Sequence, residues 1–516
     1  LRLAAGEHAP GRPAILIVAN VEGPYAWTTG LALDEARELG ARYASDANVK
    51  ALLDTTTIYV IPCANPDAAE ARFEKPLYER RATQPYLDDD RDGRDGEDGP
   101  SDVDGDGLVL TMRVPDPAGE WIADPADARA LVKADAARGE HGRWKLWVEG
   151  RDSDRDEKVG EDPALDVQVG RNFPHGWLEH APEAGPWPTC EPEARALCDF
   201  VLAHRDVQLV LVYGAQDNLV EKPKTQSDEG RGVLEATPES DGKLLAQLGK
   251  RYRDATGSKA KSAGDGHGTF AAWCELERGL WCLDVNPWTL PLDVDAPKHD
   301  GDAAPKDESS AESAAKTGRD SEKKGGAKDG DADKREVSDD AKRLRWIDAN
   351  GESARFAPWK TFQHPELGAV EIGGFLPYAL IEPPETARAE ITAKQLAFVS
   401  SLGDVLARVS LVDVKAKDLG GVWRVEAVVQ NDALLPLVSA AGKRTNAPRP
   451  ARVTLRVPGN ARVLAGEKQT LVRDLAGSGG RKELTWLVQG AAPTSIEIEL
   501  DTDGAGTAHV VPAIQK

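Results

Sequence analysis

Residues 12–20 read Arg-Pro-Ala-Ile-Leu-Ile-Val-Ala-Asn and are closed by turn signals, Gly11 on one side and Glu-Gly-Pro at 22–24 on the other. An apolar run this short, with no polar alternation, suits a strand covered on both faces, as in a parallel sheet. Residues 28–44 follow with helical spacing (Leu31, Leu33, Ala36, Leu39, Tyr43), and 57–62 form a second apolar run. A third pair comes later: a helix over 192–204, with Leu197, Phe200, Val201 and Ala203 on its apolar side, and a strand over 207–213. This order of strands and helices predicts an α/β layer with a largely parallel sheet. Residues 384–409 carry the periodicity of a closing helix. From about Leu411 the texture changes to short alternating runs at 423–429, 452–457, 485–488 and 495–500. Regularly spaced short strands predict a separate β-sandwich over 411–516.

Two insertions interrupt the layer. The stretch 293–341 is built of Lys, Asp, Glu, Ser, Ala and Gly with almost no large apolar residue, and is expected to be a solvated, disordered tether. The other, 87–166, is rich in Asp and Gly. It contains Asp88, Asp90 and Asp92 followed by Glu97 and Asp98, and repeats that spacing as Asp152, Asp154 and Asp156 followed by Glu161 and Asp162. Between them stand Asp102, Asp104 and Asp106. Carboxylates at alternate positions of a tight loop can converge on one centre, and hard oxygen donors select calcium. The match to a helix–loop–helix calcium loop is partial, because the twelfth positions are Gly99, Arg113 and Pro163. Calcium at such weak sites calls for roughly millimolar ion, which places the expected location outside the cytoplasm.

A formal charge of −23 over 516 residues makes nucleic acid an unsuitable partner. The five cysteines show no Cys-x-x-Cys spacing and are expected to be buried free thiols. No apolar stretch is long enough to span a membrane.

Three segments carry a resemblance to a known family: Ile-Leu-Ile-Val-Ala-Asn-Val-Glu-Gly-Pro-Tyr-Ala-Trp from Ile15, Val-Ile-Pro-Cys-Ala-Asn-Pro-Asp from Val60, and Gly-Arg-Asn-Phe-Pro-His-Gly-Trp from Gly170. The chain resembles the zinc carboxypeptidases (peptidase M14) over residues 1–403. The resemblance implies a three-layer α/β domain with a mainly parallel mixed sheet, zinc held by His-x-x-Glu and a later His, and a catalytic Glu on a late strand. Here Glu22 stands where the first His belongs, Tyr25 where the ligand Glu belongs, and Val212 or Tyr213 where the third ligand belongs. The zinc site is therefore expected to be degenerate. Glu371 matches the place of the general base, with Asp284 as a weaker candidate. Arg171 and Asn172 match the pattern that grips a peptide's terminal carboxylate, with Gly170 in place of its first Asn. A rebuilt metal site from Glu22, Glu371 and Asp217 is a further option.

The leading expectation is a pseudoenzyme that binds peptides or peptidoglycan-type fragments bearing a free carboxylate. One alternative is an active metallocarboxypeptidase with a divergent site. The other is a structural or adhesive protein that binds through its sandwich.

Overall fold

The computed structural model describes residues 1–7, 9–80, 99–152, 159, 167–230, 232–260, 262, 266–292 and 336–515. The chain divides into two compact units, one made of Leu1–Thr111, Trp147–Leu290 and Leu376–Lys516, the other of Met112–Leu146 and Pro291–Phe375.

The first unit contains the α/β layer. Its strands are β1 (Arg2–Leu3), β2 (Ala14–Ala19), β3 (Thr57–Ile61), β4 (Val207–Tyr213) and β5 (Trp281–Val285). They lie in the order β1-β3-β2-β4-β5, with β1 antiparallel to β3 and the other pairings parallel. Every residue of β2 is buried, as its unbroken apolar run requires.

Side-chain alternation sends the strand residues into two cores. Ile15, Ile17, Val60, Leu209, Leu211, Tyr213 and Leu283 pack under α1 (Trp27–Arg42), α2 (Ala47–Thr55), α4 (Glu239–Thr256) and α6 (Glu385–Ser400). Leu16, Val18, Val210, Val212 and Cys282 pack under α3 (Pro192–Ala203) and α5 (Phe270–Leu276). The layer is thus helix, sheet, helix, as expected. All five cysteines are free, and Cys198, Cys274 and Cys282 are buried.

The C-terminal strands of the same unit form two sheets. One has Arg462–Ala465, Gly480–Gln489, Val422–Asn431, Val409–Asp418 and Ala513–Gln515; the other has Gln469–Val472, Ala451–Arg456, Glu497–Asp501 and Ala508–Val510. Their inward residues share one core around Trp486, with Val425, Val453, Val488, Ile498 and Leu500, which makes the region a β-sandwich.

The second unit corrects the expectation for 87–166 and for the segment before the closing helix. Its six-stranded sheet runs Phe356–His364, Gly368–Phe375, Thr111–Pro115, Trp144–Val148, Trp121–Asp124, Asp127–Lys133. The insertion thus contributes four strands, and Thr111–Pro115 lies beside Gly368–Phe375, more than 200 positions away in the chain, a connection that local spacing does not encode. The tether expected over 293–341 falls outside the described residues up to 335; beyond it, Ser338 caps the helix Asp339–Ala349 by accepting from the Ala341 N–H.

Among the described residues, no helix is long and apolar enough to cross a membrane.

Candidate functional site

Parallel strands end together, and ligands in open α/β sheets gather beyond their carboxyl ends. β2 ends at Ala19, and the chain turns sharply at Asn20, a buried residue in the left-handed region (φ 55°). Asn20 is anchored from both sides: its N–H donates to Thr28 Oγ1 at 3.0 Å, and its side-chain Nδ2 donates to the Asn65 carbonyl at 2.9 Å. The anchored turn delivers Glu22 to the N-cap of the 3₁₀ turn Gly23–Tyr25.

Glu22 Oε2 is buried and has no hydrogen-bond partner. Burial pushes its pKa up, against the opposing pull of the Glu22 and Ala215 N–H groups and the Arg171 charge. Two glycines make room for it. A Cβ on Gly170 would lie 3.0 Å from Glu22 Cγ, and one on Gly214 would lie 2.0 Å from Glu22 Oε2. Glycine at 170 and 214 and the glutamate at 22 are therefore one steric arrangement. The longer carboxylate occupies space that a side chain at 170 would fill.

Asp284, near the end of β5, is the second acid of this region. Burial raises its pKa well above the carboxylate range, and the charges of Glu22, Glu275 and Asp217 push the same way. Asp217 is 6 % exposed, and its Oδ1 accepts from the N–H groups of Leu219, Val220 and Glu221. Burial raises its pKa too, and Oδ2 has no partner. Glu275, on α5, is raised to about 7 by burial.

The other expected positions resolve as follows. Tyr25 is 4 % exposed. Tyr213 is fully buried under α1, and its hydroxyl donates to both oxygens of Glu35 at 2.8 and 2.9 Å. Val212 faces the opposite core. Neither residue at the end of β4 can turn toward the Glu22 loop without leaving a core. Among the described residues, the groups of His, Cys, Asp and Glu atoms close enough to share an ion do not include Glu22. Among the described residues, the donors at these positions therefore do not fit a zinc ion: no cluster joins an imidazole to Glu22, and Tyr25 and Tyr213 are buried.

Glu371 is corrected. It lies on Gly368–Phe375 in the second unit, not on the sheet that carries Glu22. Its Oε2 accepts from Arg113 Nε at 2.9 Å, and the Arg113 guanidinium sits 4.4 Å from the ring centroids of both Trp144 and Trp359. This is a structural pair within the second unit. Sequence order misled here because Glu371 precedes the closing helix, as the family's general base does. Glu371→Gln should lower the unfolding free energy by about 2 kcal/mol, the discounted value for breaking a half-exposed pair around a buried arginine. Urea titration followed by Trp fluorescence reads it. An unchanged midpoint would refute the structural role.

Asn172 is corrected as well. It is fully buried, and its Nδ2 donates to the Ala184 and Trp187 carbonyls at 2.8 and 3.0 Å. Its Oδ1 accepts from the Glu191 N–H at 3.0 Å. It braces a loop. Arg171, by contrast, is half-buried, and its Nη1 donates to the His267 carbonyl at 3.2 Å, a contact at the surface.

Of the acidic repeat, Asp88, Asp90, Asp92, Glu97, Asp98, Asp154, Asp156, Glu161 and Asp162 lie outside the described residues, and Asp152 belongs to no cluster close enough to share an ion. Asp102, Asp104 and Asp106 do converge, with one oxygen from each within 4.8 Å of the others. The loop is wound around Asp102, which accepts from the N–H groups of Gly105, Asp106 and Gly107. Glu149, unnoticed in the sequence, is fully buried beneath it. It accepts from Val103 at 2.8 Å and Leu110 at 3.0 Å, and burial raises it to about 7.

The first unit is thus an α/β/α layer with buried acids near the carboxyl ends of its parallel strands. Residues 1–104 match the family model described as Zinc carboxypeptidase, and 408–511 match a domain of unknown function, DUF8731. The match to the zinc carboxypeptidase model lies in the N-terminal segment of the chain. It is similar to carboxypeptidase D of Mus musculus and of Rattus norvegicus, 38 % identical to each over 72 residues, or 14 % of this chain. The matched stretch spans about 5 % of those relatives' length. Among solved structures it is similar to thrombin activatable fibrinolysis inhibitor (11 % identity, TM-score 0.31, 55 % of this chain and 56 % of that one). Carboxypeptidase A from Helicoverpa armigera gives 12 % identity and a TM-score of 0.29, covering 56 % and 55 %.

Proposed function

We propose that the strand-end region binds the carboxylate terminus of a peptide or peptidoglycan-type fragment and does so without zinc peptidase chemistry. The observation that carries this reading is the contrast between the two halves of the inherited site. The ligand positions hold Glu22 and two core tyrosines, whereas Arg171 still stands at the surface beside Glu22. A guanidinium fork recognises a carboxylate through two charge-assisted bonds. Burial shifts the pKa values of Glu22 and Asp284 upward, which lessens the negative charge that would oppose a carboxylate beside Arg171.

The test is calorimetric binding of a peptide with a free C-terminus against the same peptide amidated. Binding of the free form alone, weakened about tenfold or more by Arg171→Ala, is the expected result. Equal binding of both forms would remove the carboxylate from the account. Peptide hydrolysis that stops when zinc is stripped, with calcium restored, would instead support the active metallocarboxypeptidase.

The Asp102, Asp104 and Asp106 loop is proposed to take calcium, since its donors are oxygen and its backbone already curls as such loops do. Millimolar calcium should raise the melting temperature by a few degrees, in line with about 1–3 kcal/mol of linked binding. Asp104→Asn should reduce that gain. Differential scanning calorimetry with and without calcium decides it. A calcium requirement would favour a location outside the cytoplasm.

A further inference from the structure

Two glutamates and a histidine meet on the outer face of the sandwich. Along Glu497–Asp501 the side chains alternate: Ile498 and Leu500 are buried in the sandwich core, and Glu497 and Glu499 face outward. Ala508–Val510 pairs antiparallel with this strand and sets His509 directly opposite Glu499. The third strand of the sheet sets Arg456 opposite Glu497.

His509 Nδ1 lies 3.6 Å from Glu497 Oε1 and 3.7 Å from Glu499 Oε1. Both separations are longer than an N–H···O hydrogen bond, which ends near 3.2 Å. They come close to the ~3.3 Å that separates two donors on one tetrahedral zinc with bonds of about 2.0–2.1 Å. The three donor atoms all lie within 4.8 Å of one another. The second oxygen of Glu499 is already held, accepting from Arg456 Nε at 2.8 Å. Outer contacts of this kind orient a ligating carboxylate and leave its other oxygen for the ion.

We propose that Glu497, Glu499 and His509 form a binding site for a divalent transition ion, zinc above all. One imidazole and two carboxylates make a borderline donor set, unlike the oxygen-only Asp102 loop. Three protein donors leave a fourth position open to water or to a donor from a ligand. The site is independent of the carboxylate-binding reading, since it shares no residue with it.

The experiment uses the full chain, stripped with chelator and supplied with calcium to satisfy oxygen sites. Zinc is titrated by calorimetry, and cobalt(II) is added as a spectroscopic probe. The expected result is one saturable zinc equivalent and a visible cobalt band of tetrahedral strength. His509→Gln should remove both. Glu497→Gln and Glu499→Gln should each weaken zinc binding by more than Arg456→Ala does, itself about tenfold. His509 is largely exposed and Glu497 half-exposed, so the variants should melt as the parent does, and a scan of each verifies this. Unchanged zinc affinity in His509→Gln would overturn the proposal. So would the absence of saturable binding in the parent chain, or a cobalt spectrum with thiolate charge-transfer bands, which would assign the ion to cysteine.

Discussion

Glu35→Gln is expected to leave the protein less stable than the parent at pH 5 and more stable at pH 9. Glu35 is completely buried, and burial raises its pKa from 4.5 to about 8, even though the Tyr213 hydroxyl, bonded to both of its oxygens, favours the charged form. Below pH 4.5 the group is protonated in both the folded and the unfolded chain. As pH rises, the unfolded chain releases its proton while the folded chain keeps it, and stability falls. The loss runs up to the folded pKa near 8 and then levels off, at ~5 kcal/mol for a shift of this size. A glutamine carries no proton to lose, so its share of the slope disappears. It still accepts from Tyr213, but its amide brings N–H groups that need partners in an apolar core, a penalty of about 1–3 kcal/mol at every pH. Urea unfolding of both proteins at pH 5, 7 and 9 should show the two stabilities crossing. Parallel pH profiles would mean that Glu35 is not held neutral.

The second large effect separates neighbours that a sequence motif joins. Asn172→Ala should destabilise the fold by about 3 kcal/mol, because it strands the Glu191 N–H and carbonyls of the loop in a buried setting. Arg171→Ala should change stability by about 0.5 kcal/mol or less, as expected for a surface contact, while weakening carboxylate binding. The outcomes are read by melting temperature and by calorimetry of the same two variants. If Asn172→Ala kept full stability and lost binding, the residue would face the ligand and the brace reading would fail.

The strands and helices of the α/β layer were legible because their signals are local. The run at Ala14–Ala19 is apolar on both faces, and Val207–Tyr213 begins and ends where its pattern does. The sandwich was legible for the same reason, since alternation such as Glu497-Ile498-Glu499-Leu500 records which face is covered. Glu22 was found through its neighbours in the chain. Its meaning was not, because the space it fills is bounded by Gly170 and Gly214, which only folding brings to it. Glu371 went the other way: its place in the chain was right for a general base, and strand pairing carried it to another sheet and to Arg113.

By itself, then, the sequence determined the α/β layer, the acid at 22 just past a strand and the oxygen-rich loop at Asp102. Each is a property of residue type and short spacing. Tertiary structure alone decided that Glu371 and Asn172 are braces, that Tyr213 is bound to Glu35, and that His509 stands across from Glu499. Those facts depend on which distant segments share a core or a strand register, and a chain does not write such pairings in its local pattern.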